Sequence, residues 1–199
     1  MILHGYWRSG TAYRTRIALN LKGLAYRQAG VDLRQGDQKS TAYLTLNPQG
    51  LVPALEVDGL VLTQSPAILE WLEETTPEPP LLPADAVGRA RVRAMAALVG
   101  CDIHPLNNLR VLKALRDSFD AAPAQTDAWA ARWITAGFGA LETLVADHGD
   151  GWTYGSTPSL ADCYLIPQIY SARRFHVALD AWPRLLAIEA AANAHPAFI

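Results

Sequence analysis

Apolar residues change their spacing along this chain, and the changes mark out its elements. Met1 to Tyr6 is a short apolar run that predicts a strand. Residues 12–22, with Ile17, Leu19 and Leu21 among their apolar positions and Gly23 behind them, predict a helix. A second strand is expected over 25–31 and a short helix over 37–46, closed by the turn residues Asn47-Pro48-Gln49-Gly50. Residues 54–57 and 60–62 flank Asp58-Gly59, a dipeptide that favours a two-residue hairpin, and residues 65–74 form a helix. The order strand, helix, strand, helix, strand, strand, helix describes a small α/β layer with one antiparallel hairpin.

Beyond residue 75 the pattern turns helical throughout. The segment around Pro77, Pro79, Pro80 and Pro83 cannot continue a helix and reads as a semi-rigid connector. The expected organisation is therefore an α/β unit over 1–76, a Pro-rich linker over 77–86 and an all-α unit over 87–199. Helical periods run over 89–116, 126–147, 159–175 and 182–194. Pro105 interrupts the first of these and predicts a kink near Cys101, because proline deletes a backbone hydrogen bond and clashes with the preceding turn. Ser159-Leu160-Ala161-Asp162 has the form of a capping box. Trp129 and Trp133, at i and i+4, are expected in the core.

Composition narrows the classes of function. Half of the 199 residues are hydrophobic and 18% are charged, which excludes disorder and permits a sizeable core. The 17 basic and 19 acidic residues are interspersed, giving a net charge of −2 and no basic patch that would suit a nucleic-acid backbone or an anionic membrane. Cys101 and Cys163, the two cysteines, lie outside any CxxC or Cys/His pattern, so neither a disulfide framework nor a zinc site is expected. No apolar run reaches signal-peptide or bilayer-spanning form, which points to a soluble, cytoplasmic protein.

Three short segments carry candidate chemistry. Arg8-Ser9-Gly10-Thr11 joins the first strand to the first helix, where hydroxyls and free backbone N–H groups suit an anion; from these residues alone a plain helix cap is the favoured reading. Leu51-Val52-Pro53-Ala54 sets a proline directly before a strand. Gln64-Ser65-Pro66 opens a helix with Ser65 as N-cap and Pro66 at its first position, and its N–H groups suit a carboxylate.

Together, on this order of elements, the three segments resemble the glutathione transferase superfamily over essentially the whole chain. The resemblance implies a thioredoxin-like first domain, a cis Val52-Pro53 bond, an all-helical second domain and glutathione lying across Ser9/Thr11, Gln49/Val52/Pro53 and Gln64/Ser65. Residues 8–19, Arg-Ser-Gly-Thr-Ala-Tyr-Arg-Thr-Arg-Ile-Ala-Leu, are similar to the zeta-class signature S-S-C-x-W-R-V-R-I-A-L. Asn47 to Pro53 and Gln64-Ser65-Pro66-Ala67-Ile68 match that class as well. Zeta-class members are maleylacetoacetate isomerases. Gly10, Thr11 and Tyr13, with Gly100-Cys101-Asp102-Ile103-His104-Pro105-Leu106-Asn107-Asn108, resemble its bacterial maleylpyruvate isomerase branch, which carries two arginines where this chain has Leu109-Arg110.

The resemblance implies an enzyme in which glutathione is a cofactor. Its thiolate adds to an electron-poor cis double bond, the resulting single bond rotates, and expulsion of sulfur yields the trans isomer. Ser9 and Thr11 are the implied thiolate stabilisers, with no ranking between them. Arg8, Arg110 and Arg174 are the implied grips on an unsaturated dicarboxylic acid, since arginine makes bidentate contacts that lysine does not. Arg110 and Arg174 are expected to face a cleft between the domains. Asp102, His104, Asn107 and Asn108 are candidate glutathione contacts, with His104 and Asn108 expected on one helix face at i and i+4. A homodimer is implied by the family. Two other readings keep the fold: a transferase conjugating glutathione to small electrophilic acids, and a non-catalytic binding module.

Overall fold

A computed structural model describes residues 1–199 and divides them into two compact units, Met1–Leu81 together with Ala197–Ile199, and Leu82–Pro196. The first holds a four-stranded sheet, β1 (Ile2–Gly5), β2 (Arg27–Gly30), β3 (Ala54–Val57) and β4 (Leu60–Thr63), in the order β2-β1-β3-β4. β1 runs parallel to β2 and antiparallel to β3, pairing Leu3 with Gln28 on one side and with Leu55 on the other. β3 and β4 form the hairpin expected at Asp58-Gly59, with both turn residues at positive φ.

Helices α1 (Gly10–Leu21), α2 (Thr41–Leu46) and α3 (Ser65–Thr75) complete this unit, and residues 37–39 make a separate 3₁₀ turn where a single helix over 37–46 was expected. Ser40 explains the division. It is extended, and its side chain accepts from Tyr43 N, so α2 has its own start. Ile17, Ala18 and Leu19 on α1 and Ile68, Leu69 and Leu72 on α3 are fully buried with Leu3 and Leu55 of the sheet. That apolar layer holds the mouths of α1 and α3 in place.

A buried ion pair closes the far end of the unit. Lys22 Nζ lies 2.6 Å from Glu73 Oε2 and also donates to the carbonyl of Pro79 at 2.8 Å, while Leu81 N donates to the same carboxylate oxygen at 3.0 Å. The Pro-rich segment is thereby pinned to α1 and α3. The last three residues belong here too: Asn20 Nδ2 donates to Ala197 O at 3.0 Å and the Tyr13 hydroxyl donates to Phe198 O.

The second unit is helical, with α4 (Ala86–Ala97), α5 (Leu109–Phe119), α6 (Pro123–His148), α7 (Leu160–Arg174) and α8 (Pro183–Asn193). The expected kinked helix over 89–116 is two helices. α4 ends in a π-helical turn, Leu98–Ile103, the chain breaks around Pro105, and α5 restarts at Leu109 with the Asn108 side chain accepting from Arg110 N. The π turn packs tightly on α7: a Cβ on Gly100 would stand 2.9 Å from the Tyr164 ring. α7 opens with the expected Ser159–Asp162 box. The buried Asp162 carboxylate accepts from Ser159 N, Ser159 Oγ and Thr153 N within 2.8 Å. Trp129 and Trp133 meet edge to face, and Trp129 Nε1 donates to Leu106 O across the break. No helix is long and apolar enough to cross a membrane.

Candidate active site

The mouth of α1 is an ordered chain of hydroxyls. Ser9 is the N-cap, extended at φ −74°, and its Oγ accepts from Ala12 N at 3.2 Å. Thr11 Oγ1 lies 2.9 Å from both Ser9 Oγ and the Val52 carbonyl. A carbonyl only accepts, so the single Thr11 proton goes to Val52 O, and the Ser9 hydroxyl is then the donor to Thr11 Oγ1. The order Ser9→Thr11→Val52 separates two residues that the sequence leaves equivalent. Thr11 is committed to tying the Val52 loop to α1. Ser9 can turn its proton outward by giving up one neutral hydrogen bond.

The Val52–Pro53 peptide is cis. Its loop is braced from behind, where the Tyr43 hydroxyl and Asn47 Nδ2 both donate to Leu51 O at 2.7 Å and Asn47 Oδ1 accepts from Gln49 N. Burial pushes the Tyr43 phenol up to about 12, so it remains a donor at any working pH. Gly50, at φ 62°, is required here because a Cβ would approach the Gln38 carbonyl to 3.0 Å.

At the start of α3 the structure corrects the expected cap. Ser65 is the first residue inside the helix and Gln64 holds the cap position at φ 67°, a conformation that non-glycine residues seldom adopt. Gln64 Nε2 meets Gln49 Oε1, so those two side chains share one rim. Ser65 Oγ accepts from Arg14 Nη1 at 3.1 Å. α1 therefore ties all three segments together, through Thr11 to Val52 and through Arg14 to Ser65. Arg8 is exposed beside this mouth, its guanidinium 5.4 Å from the Trp7 ring centroid.

In the helical unit, Asp102 is exposed and His104 half-buried at the end of the π turn, Asn107 is buried, and Asn108 caps α5. His104 and Asn108 do not share a helix face, because the chain break separates them. Arg110 is exposed in the first turn of α5. At the end of α7, Arg173 is held by Glu189, with Nε on Oε1 at 3.1 Å and Nη2 on Oε2. Arg174 next to it lies over the Phe175 ring, 5.8 Å from its centroid.

Residues 8–75 match the glutathione S-transferase N-terminal domain and residues 123–190 the glutathione S-transferase C-terminal domain. The chain is 55% identical to a maleylpyruvate isomerase of Ralstonia sp., covering all of this chain and 94% of that protein. It is 53% identical to a maleylacetoacetate isomerase of Pseudomonas aeruginosa, covering all of this chain and 93% of that one. A solved holo structure of maleylpyruvate isomerase, described as a bacterial glutathione S-transferase of the zeta class, superposes with a TM-score of 0.97 at 54% identity, over all of this chain and 94% of that one. The chain belongs to the zeta class of the glutathione transferase family.

In this glutathione transferase two contributors to the site escape a reading by motif. Arg14 sits in the middle of a helix, where an arginine ordinarily marks the solvated face, yet it is 3% exposed. Nothing next to it in the sequence marks that burial. Asn47 reads as a turn former, and only the fold shows its side chain bracing the carbonyl one residue before Val52. The donor set fits the tripeptide: a hydroxyl and helix N–H groups for a thiolate at α1, and a hydroxyl and helix N–H groups for a carboxylate at α3.

Proposed function

We propose that this transferase isomerises maleylpyruvate or maleylacetoacetate to the trans acid with glutathione as cofactor, and that Ser9 holds the cofactor's sulfur as a thiolate. Bound glutathione supplies a nucleophile that adds reversibly to the electron-poor double bond and so frees it to rotate. The observation that carries the assignment to Ser9 is the directed chain Ser9→Thr11→Val52, which leaves Ser9 alone able to redirect its proton to sulfur.

A free thiol with a pKa of about 8.5 is a few per cent ionised at neutral pH, and lowering it by about two units, roughly 2.7 kcal/mol, ionises most of it. The Ser9 hydroxyl and the N–H groups at the mouth of α1 supply that stabilisation. Thr11 holds the Val52-Pro53 loop, Gln49 and Gln64 form the rim, and Ser65 with the start of α3 receives a carboxylate of the tripeptide. Asp102, His104, Asn107 and Asn108 are the further glutathione contacts that the zeta-class resemblance implies. Arg8, Arg110 and Arg174 bind the substrate's carboxylates and the negative charge that develops on the substrate during rotation. The bond of Arg173 to Glu189 favours Arg174 over its neighbour for that role.

Relatives of both names match to nearly the same identity, so the two acids are tested side by side. Each is incubated with the protein, with and without glutathione, and formation of the trans product is followed. Glutathione-dependent turnover is expected, and turnover without glutathione would overturn the reading. The setting is a cytoplasmic homodimer serving the breakdown of aromatic compounds. The exposed apolar pair Leu60 and Val61 on the edge strand β4 supports a covered sheet edge, and sedimentation at micromolar concentration tests the dimer.

A further inference from the structure

We infer that Arg14 is a positioning residue for glutathione: from beneath the start of α3 it fixes the Ser65 hydroxyl so that its proton faces an incoming carboxylate. This rests on the reading that the mouth of α3 receives a carboxylate of the tripeptide. Arg14 stands one turn beyond Thr11 on α1, 3% exposed, and donates Nη1–H to Ser65 Oγ, itself 2% exposed, at 3.1 Å.

Hydrogen-bond capacity decides the direction. A guanidinium has donors and no acceptor, so Ser65 Oγ is the acceptor in this bond and its single proton cannot return to Arg14. No oxygen of the protein takes that proton, in contrast with Thr11, whose proton goes to Val52 O. The Ser65 hydroxyl is thus a donor held ready for an external acceptor, and an oxygen that accepts a charge-assisted bond is polarised into a stronger donor.

Charge adds to geometry. A carboxylate oxygen accepting from Ser65 at about 2.7 Å would lie within about 6 Å of the guanidinium, where a full positive charge in a poorly solvated setting still attracts it. Burying a long cation on the inner face of a helix is costly, and an apolar side chain would fill that space more cheaply. The bond to Ser65 gives that buried charge a use at the mouth of α3.

The test is calorimetric binding of glutathione, and of two analogues each lacking one of its two carboxylates, to the wild type, Arg14→Met, Arg14→Lys, Ser65→Ala and the double variant Arg14→Met/Ser65→Ala. Arg14→Met is expected to weaken glutathione roughly tenfold, to lose that penalty for one of the two analogues, and to add nothing further to Ser65→Ala. Arg14→Lys, which keeps the charge but not the fork, is expected to lose part of the affinity with the same analogue dependence. It carries the test alone if Arg14→Met does not fold. Wild-type affinity in Ser65→Ala would remove the reading of α3 itself. A weakened Ser65→Ala beside an unaffected Arg14→Met, or an Arg14 penalty equal for all three ligands, would leave that reading standing and overturn the role of Arg14.

Discussion

Thr11 Oγ1 donates to the carbonyl of Val52 across 2.9 Å, so the residue that takes the place of the zeta-class cysteine is a tether to the cis-proline loop. Ser9→Ala and Thr11→Val should therefore fail differently. Ser9→Ala removes the hydroxyl able to face sulfur and is expected to lower isomerisation at neutral pH by about three- to twenty-fivefold, the loss of thiolate when its midpoint rises by about one to two units, with glutathione affinity little changed. Thr11→Val keeps the shape but leaves the Val52 carbonyl without its donor, and is expected to weaken glutathione binding roughly tenfold. Thr11→Ser should restore it. Steady-state kinetics with calorimetric binding separate the two patterns, and equal losses in both parameters for both variants would contradict the division of roles.

Arg173 and Arg174 offer a control within one dipeptide. Arg174→Ala is expected to cost about ten- to a hundredfold in kcat/KM for the acid and far less in glutathione affinity, the loss of one charge-assisted hydrogen bond if the proposed grip on the substrate holds. Arg173→Ala breaks an exposed pair with Glu189 that is worth about 1 kcal/mol or less, and should leave turnover as it is. The reverse order of effects would reassign the substrate grip.

Asn108→Ala tests the break between α4 and α5. As the N-cap of α5, Asn108 accepts from Arg110 N, and its loss is expected to cost about 1 kcal/mol. Amide exchange of residues 109–112 should quicken, while Asn108→Asp, which can also cap, keeps protection. An unchanged exchange pattern in Asn108→Ala would show that the cap does not hold that turn.

The distance between sequence and structure has physical causes at particular residues. The hairpin at Asp58-Gly59 was legible because it depends on local chemistry, a positive-φ dipeptide, and so was a helix after the Arg8–Thr11 turn, although it opens at Gly10 behind the Ser9 cap and not at residue 12. Residues 89–116 misled because both α4 and α5 carry helical periods, and proline alone does not reveal whether a helix bends or stops. Asn108, placed just before the second run, was the available stop-and-restart signal. Arg14 was not legible at all, since nothing local distinguishes a buried arginine from a solvated one. The ordering of Ser9 and Thr11 required the position of the Val52 carbonyl, which is 41 residues away in the chain.

Lys22 and Glu73 make a stability prediction independent of the chemistry. Both are buried, with Nζ and Oε2 2.6 Å apart, so Lys22→Met takes the lysine charge away from a buried carboxylate and is expected to cost about 3 kcal/mol. Adding Glu73→Leu to it should recover much of that loss, as replacing a whole buried pair by apolar groups often does. Chemical denaturation of the wild type, the single and the double variant measures it. Additive losses in the double variant would contradict a direct coupling of the two charges.

The ionisation of the bound sulfur is measured most directly by ultraviolet titration of the thiolate in the glutathione-saturated protein. A midpoint near 6.5 is expected, about two units below the free thiol, rising by about one unit or more in Ser9→Ala. A bound thiol that titrates at about 8.5, or one whose midpoint is the same with and without the Ser9 hydroxyl, would contradict thiolate stabilisation at the mouth of α1.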